Sequence, residues 1–515
     1  MSALIDDKRR LVPRWRPFGA AVKSGELGSQ TTRRENSASL RRLIEYRKDE
    51  WLKKHTPESA VEFLNIAIVS RQPGIAKVVA TEILKSDLYS YSKSIEDAAK
   101  YVLGIEVSAD STSDILDAAR ERNKIAEFKR ILRRDPRDSI VLAELALFYA
   151  RLGQLKKAER SIHSAYILAP ENRYVLRSFV RFLIHTQDVE RAYAVLKKSA
   201  KRTSDPWIAA AEVSTLSILG KSPKGHRQLK KLIEGDYSPR DTSELAAALA
   251  ICELNNGAIK PAKKLMKASL RDPTDNVLAQ VQFLDQQGFR FHYSEESLTE
   301  ALAVEARSIR SKIDSEWKSA MGFAWGWAED EAFSNRPFSF GSYLAIVATQ
   351  EFREGERFAR QGIRSNPDDF ELHNNLAVAL ASQGKIKEAE KTVALQKRRT
   401  NVNIPVLTAT NGLIAFRNGK IRKGRELYAS SVKSSLNTGQ RNIAGAAVLH
   451  WAQEEGNAKT SGCHEFIEAA LSKTKFMIAS EYQAMRERLK KYGGKSPVPN
   501  ETNQAKLSTL EETGI

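Results

Sequence analysis

The chain has 515 residues, 42% of them apolar, and carries 82 Lys and Arg against 63 Asp and Glu for a formal charge of +19. That apolar share suffices for a core along the whole length, and the positive balance predicts acidic company, whether a protein, a nucleic acid or a lipid surface. Two cysteines, Cys252 and Cys463, are too few for a disulfide scaffold and read as buried structural thiols.

The first residues, MSALIDDKRRLVPRWRPFGAAV, place charges where a signal peptide needs an apolar stretch. No later segment approaches the roughly 18 apolar residues of a membrane span, so the expected setting is cytoplasmic, without membrane insertion. Residues 1–56 form a basic, partly disordered arm with clusters at Lys8-Arg9-Arg10, Arg33-Arg34 and Arg41-Arg42, and helical periodicity begins only near Ser37. Two readings fit it. One is a mobile arm capped by a single helix. The other is a docking arm in which Trp15 and Phe18 anchor on a partner while Arg16 and its neighbours meet acid groups. Residues 57–136 read as degenerate helical hairpins.

From there the chain keeps time. Prolines stand at 136, 170, 206, 239 and 273, at gaps of 34, 36, 33 and 34 residues. A near-constant period of this length marks stacked helical hairpins, each burying its apolar faces against its neighbours. Proline keeps the beat because it is excluded from helix interiors. A second marker recurs inside the units: Gly153/Ala158, Gln187/Ala192, Gly220/Gly225, Gly257/Ala262, Gly384/Ala389 and Gly419/Gly424. The first member is expected to end a helix in the left-handed conformation, and the second to let the returning helix lie close.

Residues 139–172, with Tyr149, Gly153, Ala158, Ala165 and Pro170, resemble a tetratricopeptide repeat, and so do residues 370–403, with Leu376, Ala377, Leu380, Gly384 and Ala389. The resemblance extends with weaker motifs over most of residues 57–492. It implies an all-α fold, a right-handed α-solenoid of stacked antiparallel hairpins, in which the first helix of each hairpin lines an inner groove. On this reading residues 137–273 form a basic solenoid block and residues 336–492 a second one. Residues 274–335 form an aromatic-rich helical insertion with Phe291, Trp317, Phe323, Trp325, Trp327 and Phe333, and residues 493–515 a disordered tail.

A search for chemistry finds little. No two of the eight histidines stand at the i, i+4 spacing of metal ligands on one helix face, and Gly220-Lys221-Ser222 lacks the first glycine of a phosphate-binding loop. The expectation is a protein without catalytic residues, metal or cofactor, acting as an interaction scaffold or adaptor. Its groove is expected to take a peptide or helix of an acidic protein partner. The alternative is a nucleic-acid-associated repeat protein, because residues 151–235 hold seventeen Lys and Arg against seven Asp and Glu.

The helix RYVLRSFVRFLI sets Arg173, Arg177 and Arg181 at successive i, i+4 steps. By the family pattern Tyr174, Arg177 and Arg181 point into the groove, with Trp207 beside them, and Asn374 occupies one of the places where chaperone-binding members of the family hold a C-terminal carboxylate, though Val378, Ala143 and Leu147 at other such places do not support that binding. Such arginines offer forks for carboxylates. Charge reversal at Arg177 and Arg181 is then expected to abolish partner capture without lowering the melting temperature.

Overall fold

The computed structural model describes residues 11–23, 37–56, 59–60, 62–64, 67, 73–85, 96, 99–100, 102–105, 118–286, 288–293, 303–396 and 404–492. The expected tail, residues 1–10 and 24–36 of the arm and much of the first degenerate hairpins lie outside these residues. Among the described residues every regular element is helical. The chain divides into two compact units. One comprises residues 7–309 with 326–333, and the other comprises residues 310–325 and 334–515 with 1–6. The expected insertion is thus shared between them.

The first unit holds α1 (Phe18–Lys23), α2 (Ser37–Lys54), α3 (Lys77–Lys85) and α4 (Ala118–Arg134). The hairpins follow as α5 (Ser139–Arg151) with α6 (Leu155–Leu168), α7 (Arg173–His185) with α8 (Val189–Lys198), α9 (Pro206–Ile218) with α10 (His226–Glu234), and α11 (Pro239–Asn255) with α12 (Ile259–Ser269). Then comes α13 (Asp275–Gln286). Two helices contribute to both units, α14 (Val304–Ile313) and α15 (Trp317–Asp330).

The prolines act through helix starts. Pro206 and Pro239 are the first helical residues of α9 and α11, where a missing N–H costs nothing. Asp205 and Ser238 cap those helices, Asp205 accepting from the amides of Trp207 and Ile208 and Ser238 from that of Asp241. Asp138 and Asn172 do the same after Pro136 and Pro170.

The turn residues Gly153, Gln187, Gly220, Gly257, Gly384 and Gly419 all have φ between 65° and 78°, as the spacing predicts, including the single glutamine. Ala158, Ala192, Ala262 and Ala389 are fully buried between the paired helices. Gly225 departs from the pattern. It is exposed, with φ 76°, and caps α10 from outside instead of seating it.

In the second unit the hairpins are α16 (Arg336–Leu344) with α17 (Phe352–Ser365), α18 (Phe370–Ser382) with α19 (Ile386–Gln396), α20 (Ile404–Arg417) with α21 (Ile421–Asn437), and α22 (Arg441–Asn457) with α23 (Cys463–Lys473). The last helix is α24 (Ser480–Tyr492). One core runs through this block and contains Tyr428, Trp451, Phe466 and Met485. The aromatic residues of the shared segment divide with it: Trp327 and Phe333 are buried in the first unit, while Trp325 stacks on Phe358 in the second at 3.9 Å between ring centres. Cys252 and Cys463 are both buried, as expected.

Close helix approach gives a direct test. A Cβ at Gly362 would stand 2.6 Å from Phe338 Cβ and 2.8 Å from a Leu372 methyl, whereas one at the exposed Gly322 would meet nothing within 4 Å. Gly362→Ala is therefore expected to lower stability by about 1–3 kcal/mol through overpacking. Gly322→Ala is expected to raise it by roughly 0.5–1 kcal/mol through helix propensity. Urea unfolding midpoints check both signs.

Candidate functional site

The first helices of the hairpins in the first unit, and α13 after them, carry polar residues among apolar ones: Glu144 on α5, Arg173, Tyr174, Arg177 and Arg181 on α7, Ser214 on α9, Glu244 on α11, and Asp275 and Asn276 on α13. All of them are buried. They are covered by the chain's own N-terminal segment. Residues 11–17 lie without regular structure and residues 18–23 form α1; Leu11, Val12, Arg14, Trp15, Arg16 and Phe18 are buried.

This strap is held through its backbone. Ser214 Oγ donates to the carbonyl of Leu11 at 2.6 Å, Asn276 Nδ2 to that of Val12 at 3.1 Å and the Tyr174 hydroxyl to that of Arg16 at 3.0 Å. The Phe18 N–H donates to Glu144 Oε1 at 3.1 Å. The contacts pass from α9 and α13 to α7 and then α5, so the strap runs against the order of the repeats.

Its side chains fill two kinds of place. Trp15 is fully buried and packs against Phe182 and Phe333, with ring centres 5.9 and 5.2 Å away, and Phe18 meets Tyr174 edge-on at 4.9 Å. The two arginines enter a nest of carboxylates. Arg14 reaches Glu305 at 2.5 Å, Glu331 at 2.7 Å and Asp275 at 3.8 Å, while Arg16 pairs with Asp330 at 2.5 Å and with Asp275.

Burial would raise Asp275, but Arg16 and Arg14 outweigh it and hold its carboxyl below the usual range. Asp330 goes the other way. Burial, with repulsion from Asp275 and Glu331 and only partial compensation by Arg16 and Arg14, pushes it up to about 6. Asp275 Oδ1 and Asp330 Oδ2 find no hydrogen-bond partner among the described residues.

The α7 arginines are not forks held out to a partner, which corrects the sequence expectation. Arg173 donates to Asp205 at 2.8 Å. Arg177 donates to the Trp207 carbonyl at 2.9 Å and to Glu244 at 3.1 Å, with its guanidinium over the Trp207 ring. Arg181 lies over Phe333 and 3.9 Å from Glu331. Trp207 is itself fully buried, its indole N–H donating to Asp241 at 3.0 Å. These residues clamp successive hairpins together because the strap excludes water from the helix face that carries them.

Trp15, Arg16 and Phe18, expected to dock on a partner, lie here against rings and acids of their own chain. Asn374, in the second unit, is buried and accepts from Thr410 Oγ1 at 2.7 Å. It borders an apolar recess of about 50 Å³ formed with Val378, Val406, Leu413 and His450. Burial, with help from Arg488, lowers His450 to about 4, so the ring is neutral at ordinary pH.

The acids are what residue-by-residue reading missed. Their signal is faint but present: Glu144 and Glu244 each interrupt an apolar run on a first helix, SIVLAELALFYA and SELAAALA, and Glu329-Asp330-Glu331 follows the tryptophan-rich stretch.

A stack of antiparallel helical hairpins with an extended segment along the first helices defines an α-helical repeat protein. Residues 346–399, from the π-helical segment Ala345–Thr349 before α17 to just past α19, match the tetratricopeptide repeat family, and the chain resembles proteins built from that repeat. No curated protein sequence matches it.

Among solved structures it is similar to yeast Tom70, at 12% identity over 87% of this chain and 96% of that one, with a TM-score of 0.30. It is similar to the APC/C hetero-tetramer Cut9-Hcn1 at 10% over 88% and 94%, with a TM-score of 0.38. It is likewise similar to the human IFIT1 dimer with PPP-AAAA at 11% over 89% and 96%, with a TM-score of 0.31. These likenesses carry no functional weight. No helix among the described residues is long and apolar enough to cross a membrane.

Two expectations follow from the buried charges. Arg177→Glu sets a carboxylate against Glu244 in a dry site and is expected to lower stability by about 3–5 kcal/mol, visible as a fall in Tm. A variant with unchanged Tm would contradict the clamp.

Asp330 has a folded pKa above its unfolded value, so its charge burdens the fold at neutral pH, and wild-type stability gains from this group as pH falls from about 6 towards 4. Asp330→Asn keeps an acceptor for Arg16 and lacks the charge. It is expected to be more stable than wild type at pH 7.5 by about 1–3 kcal/mol, at roughly 1.4 kcal/mol per pKa unit, with the gap closing by pH 4. Paired chemical denaturation at the two pH values decides it, and a variant weaker than wild type at pH 7.5 would sink the assignment.

Proposed function

We propose that the chain is a non-catalytic interaction scaffold that holds extended polypeptide against the first helices of its hairpins. The observation that carries this reading is the strap. Three backbone carbonyls and one backbone N–H of residues 11–18 are bonded by Ser214, Asn276, Tyr174 and Glu144, which belong to four different helices, three of them first helices of hairpins and the fourth α13. Bonds to main-chain groups at successive repeats hold a polypeptide whatever its side chains, and aromatic pockets then select the sequence. Nucleic acid recognition asks instead for one continuous basic face with stacking rings open to solvent. Here the α7 arginines and Trp207 are buried in ion pairs and packing.

The test is affinity capture of the full-length chain in its native host, with and without nuclease, followed by reassembly from purified components. A protein that stays bound through nuclease treatment and rebinds at a fixed ratio is the expected result. Loss of every partner on nuclease treatment would replace the scaffold by a nucleic-acid-bound role.

A further inference from the structure

The geometry assigns to the first unit a binding site for an extended segment of a partner protein in which two arginines flank an aromatic ring, with residues 11–18 as its occupant in cis. This rests on the scaffold reading above and adds the chemistry of the ligand. The charge of that ligand is opposite to what the sequence predicts for the partner.

Glu305, Glu331, Asp275 and Asp330 present four carboxylates to two strap guanidiniums, all with side chains at most 8% exposed. With the strap gone, those acids would face each other around a cleft without their two main counter-ions, and burying such charges unpaired is costly. An acidic segment would add to that repulsion. A neutral segment would leave it standing. Only a cationic occupant completes the site, and the fork of arginine can bridge two carboxylates at once, as Arg16 bridges Asp275 and Asp330.

Shape supplies the second part of the code. Trp15 fills the space between Phe182 and Phe333, yet its indole N–H has no acceptor among the described residues. The pocket therefore reads the ring and not the N–H, so a phenylalanine also fits. Phe18, three residues on, takes the second pocket beside Tyr174. Between them Arg16-Pro17 keeps the backbone extended, since the ring of Pro17 disfavours helix at Arg16. The pattern recognised is Arg-aromatic-Arg-Pro-aromatic, read along residues 14–18.

Because the strap is tethered, it meets the groove at an effective concentration in the millimolar range, and a free segment of the same sequence binds poorly until the strap is weakened. The strap thus closes a site that a partner's segment must open.

The probe is a fluorescein-labelled peptide of residues 11–20, LVPRWRPFGA. The targets are full-length wild type and a full-length variant carrying Arg14→Glu with Arg16→Glu, which sets acid against acid and vacates the cleft. Anisotropy is expected to show the peptide binding the variant about a hundredfold more tightly than wild type. A peptide with both arginines changed to glutamate is expected not to bind. No binding by a variant that circular dichroism shows to be folded would overturn the proposal, as would equal binding of the reversed-charge peptide.

Should the variant not fold, wild type decides. Millimolar isotope-labelled peptide is expected to speed hydrogen exchange in residues 11–18 but not in α9, and unchanged exchange in the strap would make it a permanent part of the core. Dimerisation by exchanged straps, seen as concentration-dependent mass without binding of free peptide, would also overturn it by making a second copy the occupant. Partner capture that survives nuclease while the peptide fails would leave the scaffold reading standing and remove this one.

Discussion

Arg14 and Arg16 are the constraint on which the first unit depends. They enter a cleft where Asp275, Glu305, Asp330 and Glu331 converge from three separate stretches of chain, and their guanidiniums, with Arg181 beside Glu331, let so many carboxylates lie together out of water. Even so the compensation is incomplete, which is why Asp330 ionises near 6 while Asp275, held by both arginines, stays low. The cluster couples parts of the chain that are 259 and more residues apart in sequence.

From that cluster the network spreads along the first helices. Glu244 receives Arg177 from α7, Thr274 Oγ1 at 3.3 Å and Asn276 Nδ2 at 3.4 Å, and Asn276 also holds the strap carbonyl of Val12. A polar ladder therefore runs inside a surface that a solenoid ordinarily leaves to solvent. The strap converts that surface into a core: Trp15, Phe18 and Phe333 join the same apolar cluster as Phe179 and Phe182 of α7. The α7 arginines then serve stability, since in a dry site they must be paired. The second unit keeps an apolar recess beside Asn374.

The turns and repeat frame were legible in the sequence because their causes are local. A left-handed turn is set by one residue's steric freedom, and even Gln187 adopts it where the period demands a turn. An N-cap needs only an Asp, Asn or Ser before a helix. The alanines at the fifth place after each turn are buried because the hairpin brings its own helices together.

The destination of charge was not legible. Arg173, Arg177 and Arg181 show an i, i+4 stripe on any helical wheel, but whether that stripe faces water or a carboxylate depends on what the chain lays over it some 160 residues away. Glu144 and Glu244, each an acid in an apolar run, and the Glu329-Asp330-Glu331 run carried the hints. By itself the sequence determined the helical hairpins, their period and their caps, since these follow from steric and hydrogen-bonding rules within a few residues. Tertiary structure alone decided that residues 11–18 lie along the first helices and pair with acids there, because burial, and with it the meaning of a charge, is set by contacts between distant parts of the chain.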